Sequence, residues 1–320
     1  MHITLRQLQV FQHLAQGHNF SQTGASIGLT QPAVSRSVVE LEAQLGVRLL
    51  DRTTREVLLT EAGELLAQRI APLLQELDDA FHEVADLGHA ARGTVRVASS
   101  PTLSAALMPP CIAACAAHLP EVHLQLVDRL QQDVLAQVRS GEVHFGVVVE
   151  PSDTSDLDCE TLLHDPFVLV CPAQHALARE QAVSWPLLRG LPLVLLDHAS
   201  GSRRLMDAVL AEHGCAPDTC PVVQEVGHVT TAFRMVEAGI GLSVMPGLAI
   251  PPAGLPGLAV RPLAPERLRA IMLVRRRQRS LSSAADKVWA IVRQCAQSLH
   301  ACTSSPCYAA PRSIEATKES

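Results

Sequence analysis

The sequence predicts an all-helical module at the N-terminus, one long helix behind it, and a two-lobed α/β domain in the rest of the chain. Three patterns carry that expectation. Apolar residues recur at helical spacing up to residue 45, with a glycine-centred break at residues 28–29. Over residues 66–87 they alternate at four and three. From residue 93 onward, short β-branched runs alternate with helical stretches. A chain of 320 residues, 48% of them hydrophobic, can fill two or three cores. It holds no apolar run of the ~18 residues that a membrane span needs. The opening MHITLRQLQVFQHLAQ alternates polar and apolar residues and lacks a signal-peptide core, so a cytoplasmic location is expected.

The first helix is expected over residues 4–16, with Leu5, Leu8, Phe11, Leu14 and Ala15 inward. Residues 21–44 then read as two short helices about a tight turn. Ser21 is the expected N-cap of the first, with Ala25 and Ile27 on its apolar side and Gly28-Leu29 as the turn. Thr30 caps the second, and Gln31 and Pro32 sit in its first turn, where a missing N–H costs little. Val34, Val38, Leu41 and Leu45 share one face, while Pro32, Ser35, Arg36, Val39 and Ala43 form the other. That small, polar, positive face suits the DNA major groove, and an ordinary helical hairpin is the competing reading.

Gly46 is a natural C-cap, and Leu49 and Leu50 return to the core. Arg52-Thr53-Thr54-Arg55 followed by Val57-Leu58-Leu59 reads as a short β-wing suited to phosphates or a minor groove, or else as a solvated turn. A net charge of −6 excludes a protein that coats nucleic acid in bulk. Up to Leu59 the chain carries five basic residues (Arg6, Arg36, Arg48, Arg52, Arg55) and four acidic ones (Glu40, Glu42, Asp51, Glu56). One module therefore attracts phosphate only modestly, and two copies are needed for useful affinity.

The run from Leu5 to Gly63, with TQPAVSR, LEAQLGVRLLDR and LTEAG in order and at matching spacing, resembles the winged helix-turn-helix of the LysR-type transcriptional regulators. The resemblance implies contact with double-stranded promoter DNA by Ser21, Thr30, Gln31, Pro32, Ser35 and Arg36, with Arg52, Thr53 and Arg55 on the backbone or minor groove. Gly24 departs from the pattern, where a better helix former is usual; by propensity it costs that helix about 1 kcal/mol against alanine.

Thr60 with Glu61 and Glu64 starts the long helix. Leu66, Ile70, Leu73, Leu77, Ala80, Val84 and Leu87 form a seam over ~40 Å of helix, and Pro72 predicts a bend. Such a stripe needs a partner: a second copy, or else the helix's own domain. The resemblance favours a homodimer through residues 60–88, with effector domains joining dimers into a homotetramer. Residues 88–93 are a hinge-like break. Strands are expected at 94–98, 122–127, 143–149, 167–171, 193–196, 222–226 and 271–274, and helices at 103–118, 133–140, 203–213 and 230–238. Crossovers near Pro166 and Pro262 divide the domain into lobe I (about 93–165 and 263–302) and lobe II (about 166–262). RSGEVHFGVV and EAGIGLSVMP resemble the periplasmic-binding-protein-like effector domain of the same family. The segment 303–320 is expected to be a disordered tail.

In a two-lobed α/β domain a ligand belongs at the carboxyl ends of the strands, near helix N-termini. Ser100 and Thr102, Arg129 and Gln131, Ser200, Gly201 and Ser202, and His228 and Thr230 are the candidates. Each has a plainer role open to it, as a helix cap, a local ion pair or an exposed side chain. Arg129 in a bidentate pair would make the effector a small organic acid. With six phenylalanines and one tyrosine in the chain, the cleft should offer little stacking. No GxxxxGK[ST] loop or HExxH occurs, so the reading is binding without turnover, with no catalytic residue, metal or cofactor. Nine scattered cysteines include no CxxC pair. Cys111/Cys115 and Cys215/Cys220 remain candidate redox pairs, and a redox-sensing regulator using Cys215/Cys220 is the alternative function; a hydrolase-type enzyme is a further one. The expected mechanism is allosteric: cleft closure alters the spacing of the DNA-binding modules, and with it promoter bending or contact with RNA polymerase.

Overall fold

The computed structural model describes residues 2–17, 19–52, 57–85, 92–215, 218–277 and 280–303. The chain folds as two compact units that divide between residues 88 and 89. The first opens with α1 (Leu5–Gly17), α2 (Phe20–Ile27) and α3 (Gln31–Leu45). Val10, Phe11 and Leu14 of α1 pack on Val34, Val38 and Leu41 of α3, with Leu49, Leu50 and Ile70 closing the core. Leu5 is exposed, against expectation, and Val10 takes the inward place. Gly28 and Gly46, both at positive φ, end α2 and α3 as expected of C-caps.

A two-stranded antiparallel ribbon follows, β1 (Leu50–Arg52) on β2 (Val57–Leu59), so the wing strands form; its tip, residues 53–56, lies outside the described residues. Glu42 holds the incoming chain, its carboxylate accepting from the backbone N–H of Leu49 at 2.8 Å and of Leu50 at 3.2 Å. Then α4 (Glu61–Ala85) starts where the Thr60 hydroxyl accepts from the N–H of Gly63, and it stays helical through Pro72. Its seam divides. Leu66, Ile70 and Leu74 pack on the module's own core, whereas Leu73, Leu77, Phe81 and Val84 are exposed. The predicted Leu87 and the hinge glycine Gly88 lie outside the described residues.

The second unit is α/β. Its elements are β3 (Gly93–Ser99), α5 (Pro101–Ala106), α6 (Met108–His118), β4 (Val122–Asp128), α7 (Gln131–Ser140), β5 (Phe145–Val149) and β6 (Leu157–Pro172). After them come β7 (Val183–Ser184), β8 (Leu193–Leu196), α8 (Arg203–Glu212), β9 (Val222–Val226), α9 (Val229–Glu237), β10 (Ser243–Pro246), β11 (Leu258–Ala264), β12 (Leu268–Arg276) and α10 (Ser283–Thr303). The main sheet runs β4-β3-β5-β12-β6-β11-β7, with β10 also on β6, and β8 pairs with β9 in a small parallel sheet. The long β6 joins the lobes: up to Pro166 it pairs with β12, and from Phe167 with β10 and β11. The return crossing falls between Ala264 and Leu268, beyond the predicted Pro262, which is still paired within β11. The predicted helix at 103–118 is two, broken at Leu107 ahead of the Pro109-Pro110 pair. Lobe I packs Phe145 against Trp289 of α10, and lobe II centres on Trp185. Helix α10 reaches Thr303, one residue into the predicted tail; residues 304–320 lie outside the described residues.

Candidate functional site

The free face of α3 is built by its neighbours' caps. Asn19, not Ser21, caps α2: its backbone is extended, and its Oδ1 accepts from the N–H of Ser21 at 2.9 Å and of Gln22 at 3.1 Å. An Asx cap reaches two and three residues ahead, which puts Ser21 inside the first turn and leaves it exposed. Thr30 holds the N-cap position of α3 with an extended backbone, yet its hydroxyl makes no cap bond. Thr30, Gln31, Pro32 and Arg36 are exposed and Ser35 is half-buried, opposite the buried Val34, Val38 and Leu41. Arg52 contributes backbone to β1; its side chain, Thr53 and Arg55 lie outside the described residues.

Gly24 reverses an expectation. A Cβ there would lie 2.6 Å from the Leu29 carbonyl oxygen, which is backbone and cannot turn aside. The same turn places the Leu29 N–H on the Gly24 carbonyl at 2.9 Å. Close approach of α2 to the turn, rather than helix propensity, sets the residue, and Thr23 and Gly24 are the buried positions of α2 while Ala25 is exposed.

In the second unit, four segments meet at one cleft of about 490 Å³, its open mouth included. Ser100 ends the turn after β3 as the N-cap of α5, and Thr102 follows in that helix. Gln131 opens α7, its Oε1 accepting from the Val149 N–H at 3.1 Å, and its side chain lies where Gly201 leaves room. Ser200, Gly201 and Ser202 lead into α8, and His228 is the N-cap of α9. All seven line the cleft, together with the apolar Leu130, Val149, Leu196 and Val229.

Two predicted residues stay outside it. Arg129 is exposed and folds back, its Nη1 donating to the Asp128 carbonyl at 2.8 Å; the next two residues, Leu130 and Gln131, face the cleft instead. Thr230 is exposed on α9, one residue past the cleft-lining Val229. Arg203, at the start of α8, is structural: it bridges Asp207 and Glu225, each at 2.7 Å, and donates to the Leu196 carbonyl, tying α8 to β8 and β9.

The cleft also holds a residue that sequence reasoning misses. Arg269 of β12 is 1% exposed and pairs with Asp165 of β6, itself 3% exposed, through Nε at 2.8 Å and Nη2 at 2.7 Å from the same Oδ2. Its Nη1 donates to the Ser202 hydroxyl of the second lobe. Asp165 Oδ1 accepts from the Leu248 N–H at 2.9 Å. Burial pushes the Asp165 carboxyl up and Arg269 opposes that; burial pushes the guanidinium down and Asp165 opposes it. The available signal is an arginine one residue into the apolar run that becomes β12.

Cys215 and Cys220 lie side by side, but their burial works against redox sensing. Cys215 and Cys220 are buried, and burial, with Cys215 alongside, pushes the Cys220 thiol up to about 12. Burial likewise raises Cys115 to about 11 and lifts Cys111. Thiols so protonated are poor nucleophiles at neutral pH. Among the described residues no group of three or more His, Cys, Asp or Glu side chains is placed to hold a metal ion, and no helix is long and apolar enough to cross a membrane.

Comparison with known proteins decides what these two sites belong to. Residues 5–64 match the bacterial regulatory helix-turn-helix protein, lysR family, and residues 88–297 match the LysR substrate binding domain. The chain belongs to the LysR family of DNA-binding transcriptional regulators. It is 50% identical over 294 residues to the uncharacterized HTH-type transcriptional regulator YfeR of Shigella flexneri, covering 92% of this chain and 94% of that one. It is 31% identical over 289 residues to the uncharacterized HTH-type transcriptional regulator YbhD of Escherichia coli, covering 90% of each. Among solved structures, full-length OxyR from Pseudomonas aeruginosa superimposes with TM-score 0.71 at 24% identity, over 92% of this chain and 98% of that one. CbnR bound to its target DNA superimposes with TM-score 0.68 at 19% identity, over 92% of this chain and all of the other. At those identities the likeness is one of fold. This LysR-family chain thus joins an N-terminal helix-turn-helix to a two-lobed α/β effector-binding domain.

Proposed function

We propose that this LysR-family regulator reads promoter DNA with the free face of α3 and is switched by a small molecule held in the cleft of the second unit, without turnover. Residues 1–59 serve as the DNA-binding module, 60–88 as the linker helix and 93–302 as the effector domain, and the protein acts in the cytoplasm. Arg36, Gln31 and Ser35 contact base edges, and Thr30 and Ser21 contact phosphates. Arg52, Thr53 and Arg55 take the backbone or minor groove.

A homodimer through α4 supplies the second DNA module. The exposed stripe of Leu73, Leu77, Phe81 and Val84 supports it, because an apolar face of that kind is costly in water. Dimers pair into homotetramers, and closure of the cleft alters the spacing of the DNA modules and so the contact with RNA polymerase.

The observation that carries this reading is the convergence of Ser100, Thr102, Gln131, Ser200, Gly201, Ser202 and His228 on a single cleft. Their segments are far apart in the chain. A mobility-shift assay on duplex DNA from upstream of the chain's own gene tests it. The expected result is a salt-sensitive retarded complex. Absence of a shift at low salt, together with turnover of a metabolite, overturns the reading.

A further inference from the structure

We infer that Val39 is a specificity residue of the DNA face and reads the 5-methyl group of a thymine in the major groove; the inference rests on reading the free face of α3 as the one that meets DNA. Neither the core nor the helix asks for a valine there. Among the described residues, Val39 is the one large apolar side chain of α3 left exposed, at 46%. It takes no part in the core around Val34, Val38 and Leu41. A β-branched residue at an exposed helix position also adds nothing to helix propensity.

Its place on the helix points to the groove. At ~100° per residue, Pro32, Val39 and Ala43 fall in one row down the middle of the free face, and Val39 lies one turn beyond Ser35 and Arg36. The three side chains of that row are short and exposed, so the helix can approach base edges closely along it. The two carboxylates that flank the row are tied to the module's own groups. Glu40 accepts from the Gln7 amide of α1 at 3.2 Å, and Glu42 accepts from the N–H groups of Leu49 and Leu50. Arg36 supplies the positive charge of this face, and Val39 an apolar spot beside it.

The chemistry of the base edges then selects the partner. In the major groove guanine, adenine and cytosine present hydrogen-bonding groups, and thymine alone carries a methyl. A valine has no atom to satisfy a donor or an acceptor, and packing it on one strips off water without replacing it. Against a methyl it takes the apolar surface of both partners out of water. Val39 thus adds a preference that hydrogen bonds from Ser35 or Arg36 do not supply.

The test uses the full-length chain and duplex DNA from upstream of its own gene, trimmed to the site that footprinting protects. Each thymine of the site is replaced in turn by deoxyuridine, which lacks the methyl and keeps every hydrogen-bonding group. Affinity is read by fluorescence anisotropy at fixed salt. The expected result is a fall of roughly 3- to 10-fold in wild-type affinity at one or more of these positions. In Val39→Ala, which removes both γ-methyls, at least one of those penalties should vanish, so that thymine and deoxyuridine duplexes bind alike there. A wild-type chain indifferent to every deoxyuridine overturns the inference. Penalties that all persist in Val39→Ala, as they would were Val39 covered by a second copy of the chain, overturn it too. In both of those cases the wild-type chain still binds the thymine duplex, and the regulator reading stands. If the wild-type chain binds no duplex from this region even at low salt, the DNA reading itself fails and the inference falls with it.

Discussion

The two working regions of this chain are built on opposite plans. The free face of α3 comes from one continuous stretch, in which Thr30 to Arg36 project from a single helix whose other side is buried. The cleft is assembled from loops and strand ends between Ser100 and Arg269, and Arg269 sits on a strand that crosses between the lobes. A site made from one helix is fixed by local periodicity. A site made from separated segments is fixed by topology, and it carries a buried ion pair that ordinary surface sites lack. The DNA face should therefore tolerate substitution with little cost to folding, whereas the cleft should not.

The largest expected effect tests that contrast directly. Arg269→Met leaves Asp165 buried without its partner and should lower unfolding stability by about 3–5 kcal/mol in urea denaturation. The paired change Asp165→Asn/Arg269→Gln should cost clearly less. An equal loss in both would mean that packing, not charge, holds β6 and β12 together where they cross between the lobes.

Gly24→Ala comes next. Propensity alone offers a gain of about 1 kcal/mol. A Cβ placed 2.6 Å from the Leu29 carbonyl should instead cost about 1–3 kcal/mol, because backbone must shift. A rise in Tm would show that the turn yields more readily than this close approach implies. Arg36→Ala should change stability by no more than ~0.5 kcal/mol, since the side chain is exposed. The smallest effect concerns the thiols. Native-state alkylation near pH 8, mapped by mass spectrometry, should modify the exposed Cys159 and spare Cys215 and Cys220, whose burial and raised Cys220 thiol keep them unreactive. Labelling of Cys220 in folded protein would reopen the redox reading.

What can be read from the sequence follows from the same contrast. The buried stripe Val34, Val38 and Leu41 and the caps Gly28 and Gly46 repeat at distances a helix imposes, so they are visible. Ser21 passes for the cap because Asn19, two residues earlier, offers the same chemistry with a longer reach. Gly24 looks like a defect because the carbonyl it makes room for belongs to the turn beyond the helix. In the second unit the loops after β3, β8 and β9 are legible, since strand ends before helix starts mark them. Which side of the turn after β4 faces inward is not, and charge alone favours Arg129 over its neighbours Leu130 and Gln131. The β6–β12 crossing is invisible for a further reason. The first half of β6 alternates partly buried and exposed residues, with only Leu157 and Leu163 buried, and Asp165 and Arg269, 104 residues apart, become partners only when the two strands come together.

The central claim, that DNA reading and ligand response reside in separate units, is tested most directly by Arg36→Ala. Fluorescence anisotropy on the promoter duplex should show loss of sequence-specific binding, while thermal unfolding and the ligand-induced rise in Tm stay at wild-type values. Wild-type DNA affinity in Arg36→Ala, or loss of the ligand response along with DNA binding, would contradict it.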